Sequence, residues 1–112
     1  MRILIVEDSP ERIKSFKRKF IGHIVEITRD PDEAIDLLKT KSWDYLFLDH
    51  DLGHEEGVES GPGTGYQVAL FIHQNPSLKP SKGIVLHSLN VVGRQNMKKI
   101  LPEAVESPFC WN

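Results

Sequence analysis

The sequence has few of the features that place a chain in a membrane, outside the cell or on nucleic acid. Cys110 is its only cysteine, so no internal disulfide can form. No apolar run approaches the roughly 18 residues that a membrane span requires, and the run at residues 3–6 is too short for a signal peptide. Lys and Arg number 14 against 16 Asp and Glu, which leaves a net charge of −2 and no basic excess. We therefore expect a cytoplasmic protein without a membrane or nucleic-acid-duplex partner.

The sequence also lacks a phosphate-binding P-loop. The segment 50–64 is rich in glycine, but it has no Gly-Lys-Ser/Thr ending. Its glycines are typical of a mobile segment and predict a lid rather than a nucleotide cradle. With 112 residues, the chain is long enough for one core and too short for two, so we expect a single domain over residues 1–112.

What the sequence does contain is an alternation of strand and helix patterns. Continuous apolar runs such as Ile3–Val6 are typical of strands that are buried on both faces of a parallel sheet. Helix-start signals follow the first two predicted strands, at Ser9-Pro10-Glu11 and Asp30-Pro31. The predicted strands are 3–6, 23–28, 44–48, 83–86 and a weak 104–107. The predicted helices begin near 10, 31, 64 and 93, and the first, third and fourth end near 22, 74 and 101.

Polar residues follow three of these strands. In an open parallel sheet with right-handed crossovers, ligands bind beyond the carboxyl ends of the strands. Residues that follow different strands should therefore meet at one edge of the sheet. We expect a shared pocket that is lined by Asp8, Asp49, His50, His87 and Ser88.

These strand ends resemble the receiver domains of response regulators. Glu7-Asp8 match the acidic pair of that family, Asp49 matches its phosphoryl-accepting aspartate, and Ser88 matches the hydroxyl residue after the fourth strand. The resemblance implies a three-layer α/β receiver-like (flavodoxin-like) fold with a five-stranded parallel sheet in the order 2-1-3-4-5. It also implies a Mg²⁺ (or Mn²⁺) site at Glu7, Asp8 and Asp49, and a phosphoryl donor or small phosphate ester as the partner molecule.

The sequence departs from ordinary receivers in three ways. Where the family has Lys-Pro near the end of strand five, this chain has Ser107-Pro108, so the phosphoryl-binding lysine is missing. The last helix of the family is also expected to be absent, and Phe109 and Trp111 or a homodimer would then cover the exposed sheet face. The motifs LDHDLG and HSLN add histidines at two strand ends, and these resemble the divergent cyclic-phosphate-processing receivers.

The residue types at this edge suit a metal-assisted phosphoesterase. Crowded carboxylates raise one another's proton affinity unless a cation neutralises them, and a hard divalent ion prefers their oxygens. Histidine titrates near neutral pH, so His50 and His87 are candidates for the acid and the base that open a cyclic phosphate. Ser88 and the metal would stabilise charge on the phosphoryl oxygens, and Asp49 would belong to the catalytic group.

Other interpretations of the same residues remain open. Asp8 has the position of a helix cap, and Asn90 either contacts substrate or caps the fourth helix, with capping favoured. Asp51 either orients a histidine or begins a turn. At the level of function, the alternatives to a phosphoesterase are a signalling domain that accepts a phosphoryl group on Asp49 and a non-catalytic interaction module.

Overall fold

A computed structural model describes residues 1–53 and 57–108. Five strands alternate with four α-helices, and a short 3-10 helix at Pro76–Leu78 follows the third of them. The strands are β1 (Arg2–Val6), β2 (Ile24–Thr28), β3 (Tyr45–Leu48), β4 (Gly83–Leu86) and β5 (Val105–Glu106). The helices are α1 (Pro10–Lys19), α2 (Pro31–Thr40), α3 (Gly65–Gln74) and α4 (Val91–Ile100).

The helix starts follow the capping residues. The side chains of Ser9, Asp30, Thr64 and Asn90 each accept a backbone N–H from the first turn of the helix that follows. The favoured interpretation of Asn90 as a cap is confirmed, and α4 begins at Val91, as that interpretation implies, and not at residue 93. Side-chain oxygens of this kind satisfy N–H groups that have no partner within the helix.

Two predicted boundaries are wrong. α1 ends at Lys19, capped by Phe20, and Gly22 lies beyond it in a turn with φ +87°. Glycine suits that turn because a side chain is strained at positive φ. β5 has only two residues, where four were predicted, and both are exposed.

All five strands pair in parallel, in the order β2-β1-β3-β4-β5. The predicted fold and strand order are therefore confirmed. The crossovers after β1 and β3 run in opposite directions along the sheet, so β1 and β3 flank the position at which the strand order reverses. In open α/β sheets this position is where ligands bind.

The two faces of the sheet are covered unequally. One face packs against α2, α3 and α4 and forms the larger core, which includes Leu38, Val68 and Met97. The other face packs around Phe16 of α1, and its outer residues, such as Val85, are only half-buried. The expectations for Phe109 and Trp111 lie outside the described residues. Among the residues that the structure describes, no helix is long and apolar enough to cross a membrane.

Candidate functional site

The three groups of polar residues meet at one edge of the sheet, as predicted. The residue that follows each strand is fixed by a backbone hydrogen bond to the neighbouring strand. Glu7 N donates to Thr28 O at 3.0 Å, Asp49 N to Val6 O at 3.1 Å, and His87 N to Leu48 O at 3.2 Å. The sheet itself therefore determines where these three side chains begin.

Glu7 is the centre of this edge. Its carboxylate is completely buried and accepts four hydrogen bonds. Oε2 accepts the backbone N–H groups of Asp8 and Ser9 at 2.9 and 3.0 Å, and Oε1 accepts Arg12 Nε at 2.8 Å and His87 Nε2 at 2.9 Å. Because an ionised carboxylate only accepts hydrogen bonds, Nε2 of His87 must carry the proton.

Asp49 lies beside this cluster. Its Oδ1 accepts the backbone N–H of His50 at 2.8 Å, and its Oδ2 lies 3.6 Å from Arg12 Nη2. Oδ2 is buried and has no hydrogen-bond partner in the described part of the chain. Arg12 therefore stands between the carboxylates of Glu7 and Asp49, with a nitrogen directed at each.

The pKa values reflect this crowding. Burial raises the pKa of Asp49 to about 7, and the negative charge of Glu7 adds to the shift. Burial followed by the charge of Glu7 also raises the pKa of Asp8. Burial alone would raise the pKa of Glu7, but the hydrogen bonds from His87, Ser9 and Arg12 outweigh it and lower the value to about 2. Burial lowers the pKa of His87 despite its contact with Glu7.

His50 has different partners. Its ring is completely buried, with Nδ1 2.6 Å from Asp51 Oδ1 and Nε2 2.8 Å from Ser60 Oγ. Ser60 Oγ also accepts Asn96 Nδ2 at 2.9 Å, and Asp51 Oδ2 accepts the N–H of Gly57 at 2.7 Å. His50 thus connects the end of β3 to the loop that follows it and to α4.

Two glycines allow α3 and α4 to lie close to residues 49 and 50. A Cβ on Gly93 would lie 2.4 Å from His50 Cγ, and a Cβ on Gly65 would lie 1.8 Å from the carbonyl oxygen of Asp49. No side chain fits at either distance. The starts of α3 and α4 therefore pack directly against residues 49 and 50.

The residues after β4 form the opposite side of the edge. Ser88 Oγ accepts the N–H of Asn90 at 3.1 Å, and Arg94 Nη1 donates to Ser88 O at 2.6 Å. Asn90 accepts Gly93 N through Oδ1 and donates through Nδ2 to Asp51 Oδ1 at 3.1 Å. The polar atoms of Asn90 are thus used within the protein.

A cleft of about 730 Å³ opens over this edge. Asp8, Asp49, Ser88 and Asn90, all predicted as site residues, line it. Such a volume is in the range of pockets that hold a small organic molecule and far exceeds a phosphoryl group. The other lining residues are Ser9, Pro10, Arg12, Arg29, Asp51, Gly53, Gly57 and Leu89.

The structure differs from the expectation that both histidines line this pocket. His87 is 1% exposed and lies behind Glu7, with its ring edge-on to Phe16 at a centroid distance of 5.0 Å. His50 lies behind Asp51. Each histidine follows the strand that the sequence predicts. Both rings are buried, however, and lie behind the cleft wall, where substrate cannot touch them.

Sequence reasoning missed Arg12, Arg29 and Ser60. Arg12 could have been found, because it lies in the first turn of α1, directly above the end of β1. Arg29 directly follows β2, as Glu7 directly follows β1. For Ser60 the sequence carries no signal, since its contact with His50 depends on the path of a ten-residue loop.

A comparison with protein-family models agrees with this geometry. The model of the cyclic-phosphate processing receiver domain matches residues 2–103. The chain belongs to this family. No curated protein matches this receiver domain.

Solved structures show the same fold. The receiver domain resembles the signal receiver domain of a Luxo repressor protein of Vibrio parahaemolyticus, with 20% identity, a TM-score of 0.68 and 97% and 79% of the two chains covered. It resembles the response regulator TrrA of Thermotoga maritima in complex with Mg²⁺-BeF, with 22% identity, a TM-score of 0.67 and coverage of 96% and 87%. A Burkholderia pseudomallei response regulator with a phosphorylated aspartic acid, calcium and citrate gives 17% identity, a TM-score of 0.66 and coverage of 97% and 61%.

The residues of this receiver domain fit a divalent ion. Buried Asp49 Oδ2 has no hydrogen-bond partner in the described residues, and burial, followed by the charge of Glu7, raises the pKa values of Asp8 and Asp49, so a cation would stabilise their ionised forms. One ligand atom each from Glu7, Asp49 and His87 also lie within 4.8 Å of one another. Because Glu7 and His87 already bond to each other and Glu7 does not line the cleft, Asp8 and Asp49 are the carboxylates best placed to hold Mg²⁺ or Mn²⁺.

Proposed function

We propose that this receiver domain is a metal-assisted phosphoesterase that opens a cyclic phosphate ester. The observation that supports the proposal is the cleft, which joins the carboxylates of Asp8 and Asp49 to a space large enough for a whole organic phosphate. An ordinary phosphoryl-accepting site needs no such volume. The family match supports the same chemistry through its description.

The reaction adds water to phosphorus and breaks one of the two ester bonds in the ring. The product is a phosphate monoester with one free hydroxyl, so the proton that leaves water is returned to the departing oxygen. A divalent ion held by Asp8 and Asp49 would supply positive charge for the phosphoryl oxygens. The Ser88 hydroxyl lines the cleft and is placed to donate a hydrogen bond to one of them.

Proton transfer is assigned to the pair of Asp51 and His50. The carboxylate of Asp51 faces the cleft, and His50 holds it from behind at 2.6 Å. His50 is thus connected to the cleft through Asp51 alone. His87 reaches it only through Glu7 and Arg12, so we assign His87 a positioning role that keeps Glu7 and Arg12 in place.

The second candidate function is acceptance of a phosphoryl group on Asp49. It is supported by the position of Asp49 at the end of β3 and by its buried Oδ2, which has no hydrogen-bond partner among the described residues. The Burkholderia relative is described with a phosphorylated aspartic acid. The missing lysine argues against this function, because Ser107 takes that position here.

One experiment separates the two functions. The protein is incubated with Mg²⁺ and either a 2′,3′-cyclic nucleotide or acetyl phosphate, and the products are followed by phosphorus NMR and by intact mass. Conversion of the cyclic nucleotide to a monoester supports the phosphoesterase, whereas a stable phosphoryl adduct on the protein supports signalling. Asp49→Asn should abolish either result, and Asp36→Asn, an exposed acid on α2, is the control with the same change of charge. The absence of both reactions would contradict both functions.

A further inference from the structure

The positive charge in this cleft comes from an unexpected side of the sheet. The resemblance to receivers implies a lysine at position 107, after β5, but Ser107 stands there, and its N–H donates to Leu86 O at 2.9 Å. Ser107 does not line the cleft, and no lysine lines it in the described part of the chain. The two cations that do line it are Arg12 and Arg29.

Arg12 projects into the cleft from α1. Its Nε is held by Glu7 at 2.8 Å, which fixes the plane of the guanidinium, and its Nη2 lies 3.6 Å from Asp49 Oδ2. The side chain is 24% exposed, so the group can meet a ligand. Glu7 is itself fixed by two backbone N–H groups and His87, so the position of Arg12 is determined by the core.

Arg29 enters the same cleft from the end of β2. It directly follows Thr28, the last residue of that strand, and its side chain is exposed. It makes no ion pair or hydrogen bond with any residue in the ranges 1–53 and 57–108. The cleft thus has one arginine fixed by the core and a second one at its rim.

We propose that Arg12 and Arg29 bind the phosphate oxyanion of the ligand. The two arginines supply, from the β1–β2 side of the sheet, the positive charge that receivers place after β5. The ligand class is a phosphate ester or inorganic phosphate whose non-bridging oxygens face the two guanidinium groups. Guanidinium groups match phosphate oxygens in pairs, which gives them more geometric specificity than lysine. The proposal rests on the proposed function only for the choice of a phosphate as ligand.

The position of Arg12 predicts an effect on ligand binding that would not occur if Arg12 only supported the fold. Its charge lies beside Asp49, so it repels a divalent ion at the same carboxylates while it attracts an anion. Removal of Arg12 should therefore strengthen Mg²⁺ binding and weaken phosphate binding. Arg29 has no contact with a carboxylate among the described residues, so its removal should weaken phosphate binding alone.

The test is calorimetry at pH 8.5 with Mg²⁺ alone and then with inorganic phosphate at saturating Mg²⁺. For Arg12→Gln we expect phosphate affinity to fall about 10- to 100-fold, as for loss of a charge-assisted hydrogen bond, while Mg²⁺ affinity rises. For Arg29→Gln we expect a smaller loss for phosphate and an unchanged Mg²⁺ affinity. Arg18→Gln is the control on α1, because Arg18 donates a hydrogen bond to Ser15 Oγ and does not line the cleft.

Two outcomes would overturn the proposal. One is a loss of affinity for both Mg²⁺ and phosphate in Arg12→Gln, which would indicate that Arg12 only supports the fold. The other is unchanged phosphate binding in both variants. Should Arg12→Gln not fold, Arg12→Lys keeps the charge and loses the paired geometry, so phosphate affinity should fall less than about 10-fold, and a loss as large as 100-fold there would contradict a role for the charge. These binding measurements do not depend on catalytic turnover. They therefore test the two arginines even in a protein that hydrolyses no cyclic phosphate.

Discussion

Two buried histidines lie within two residues of the ends of neighbouring strands, and their surroundings differ completely. His87, after β4, belongs to a charged cluster with Glu7 and Arg12 inside the sheet edge. His50, after β3, belongs to a network with Asp51 and Ser60 that holds a loop. A similar signal in the sequence, an imidazole within two residues of the end of an apolar strand, thus holds a charged cluster in one case and a loop in the other.

The largest effect should come from the charged cluster. Replacing Glu7 by Ala leaves Arg12, His87 and two backbone N–H groups without their buried acceptor. Breaking a buried ion pair by removing one partner costs about 3–5 kcal/mol, and we expect a loss of this size in the free energy of unfolding from urea denaturation. Glu26→Gln removes a partly exposed partner of Lys41 and should cost less than about 1 kcal/mol. Equal losses in the two variants would contradict the central role of Glu7.

The difference between the clusters also shows what the sequence could predict. The strands and the edge where the polar residues meet follow from apolar runs, helix caps and the rule for parallel sheets, and all of these are local or topological. The strand order is implied by the resemblance to receivers. The partners of each histidine depend on distances between residues far apart in the chain, such as the 80 positions that separate Glu7 from His87. The sequence therefore located Asp8, Asp49 and Ser88 at the cleft, and it could not show that the rings lie behind it.

The His50 network should be most sensitive at Gly93. Gly93→Ala places a Cβ against the ring of His50, at 2.4 Å from Cγ, and α4 or the ring must move. Overpacking of this kind costs about 1–3 kcal/mol, again measured by urea denaturation. Gly61→Ala, where a Cβ would meet nothing within 4 Å, should leave stability unchanged or slightly higher. Combining Gly93→Ala with His50→Ala should recover part of the loss, and a purely additive double variant would indicate that the ring is not the obstacle.

His87 should also differ from a surface histidine in the effect of acid. Burial lowers the pKa of His87, so the folded protein resists its protonation while the unfolded chain accepts a proton near pH 6.5. The contribution of His87 to the free energy of unfolding is thus fully present above pH 6.5. It is lost as the pH falls through the lower pKa of His87 in the folded state. The cost of His87→Gln, about 1–2 kcal/mol at pH 7.5, should therefore shrink at pH 5.

The control for this comparison is His73→Gln on the exposed face of α3. Its effect on the free energy of unfolding should stay within about 0.5 kcal/mol at each pH, as for most surface substitutions. Measuring each variant against the wild type at pH 7.5, 6 and 5 cancels the other titrating groups, including Asp49, which is common to all three proteins. A cost of His87→Gln that grows on acidification would contradict the burial of a neutral ring.

The smallest effect should come from the loop side of His50. Ser60→Ala removes the hydroxyl that contacts His50 Nε2 and accepts Asn96 Nδ2, while the contact between His50 and Asp51 remains. Removing one partner of a buried hydrogen bond costs about 1–3 kcal/mol, and we expect a loss at the lower end, about 1 kcal/mol, because His50 keeps its contact with Asp51. Local opening should change more, because Ser60 connects the loop to α4. We expect faster amide hydrogen exchange at residues 57–61, with unchanged exchange in β1, whereas faster exchange in β1 would show that the loop and the charged cluster form one unit.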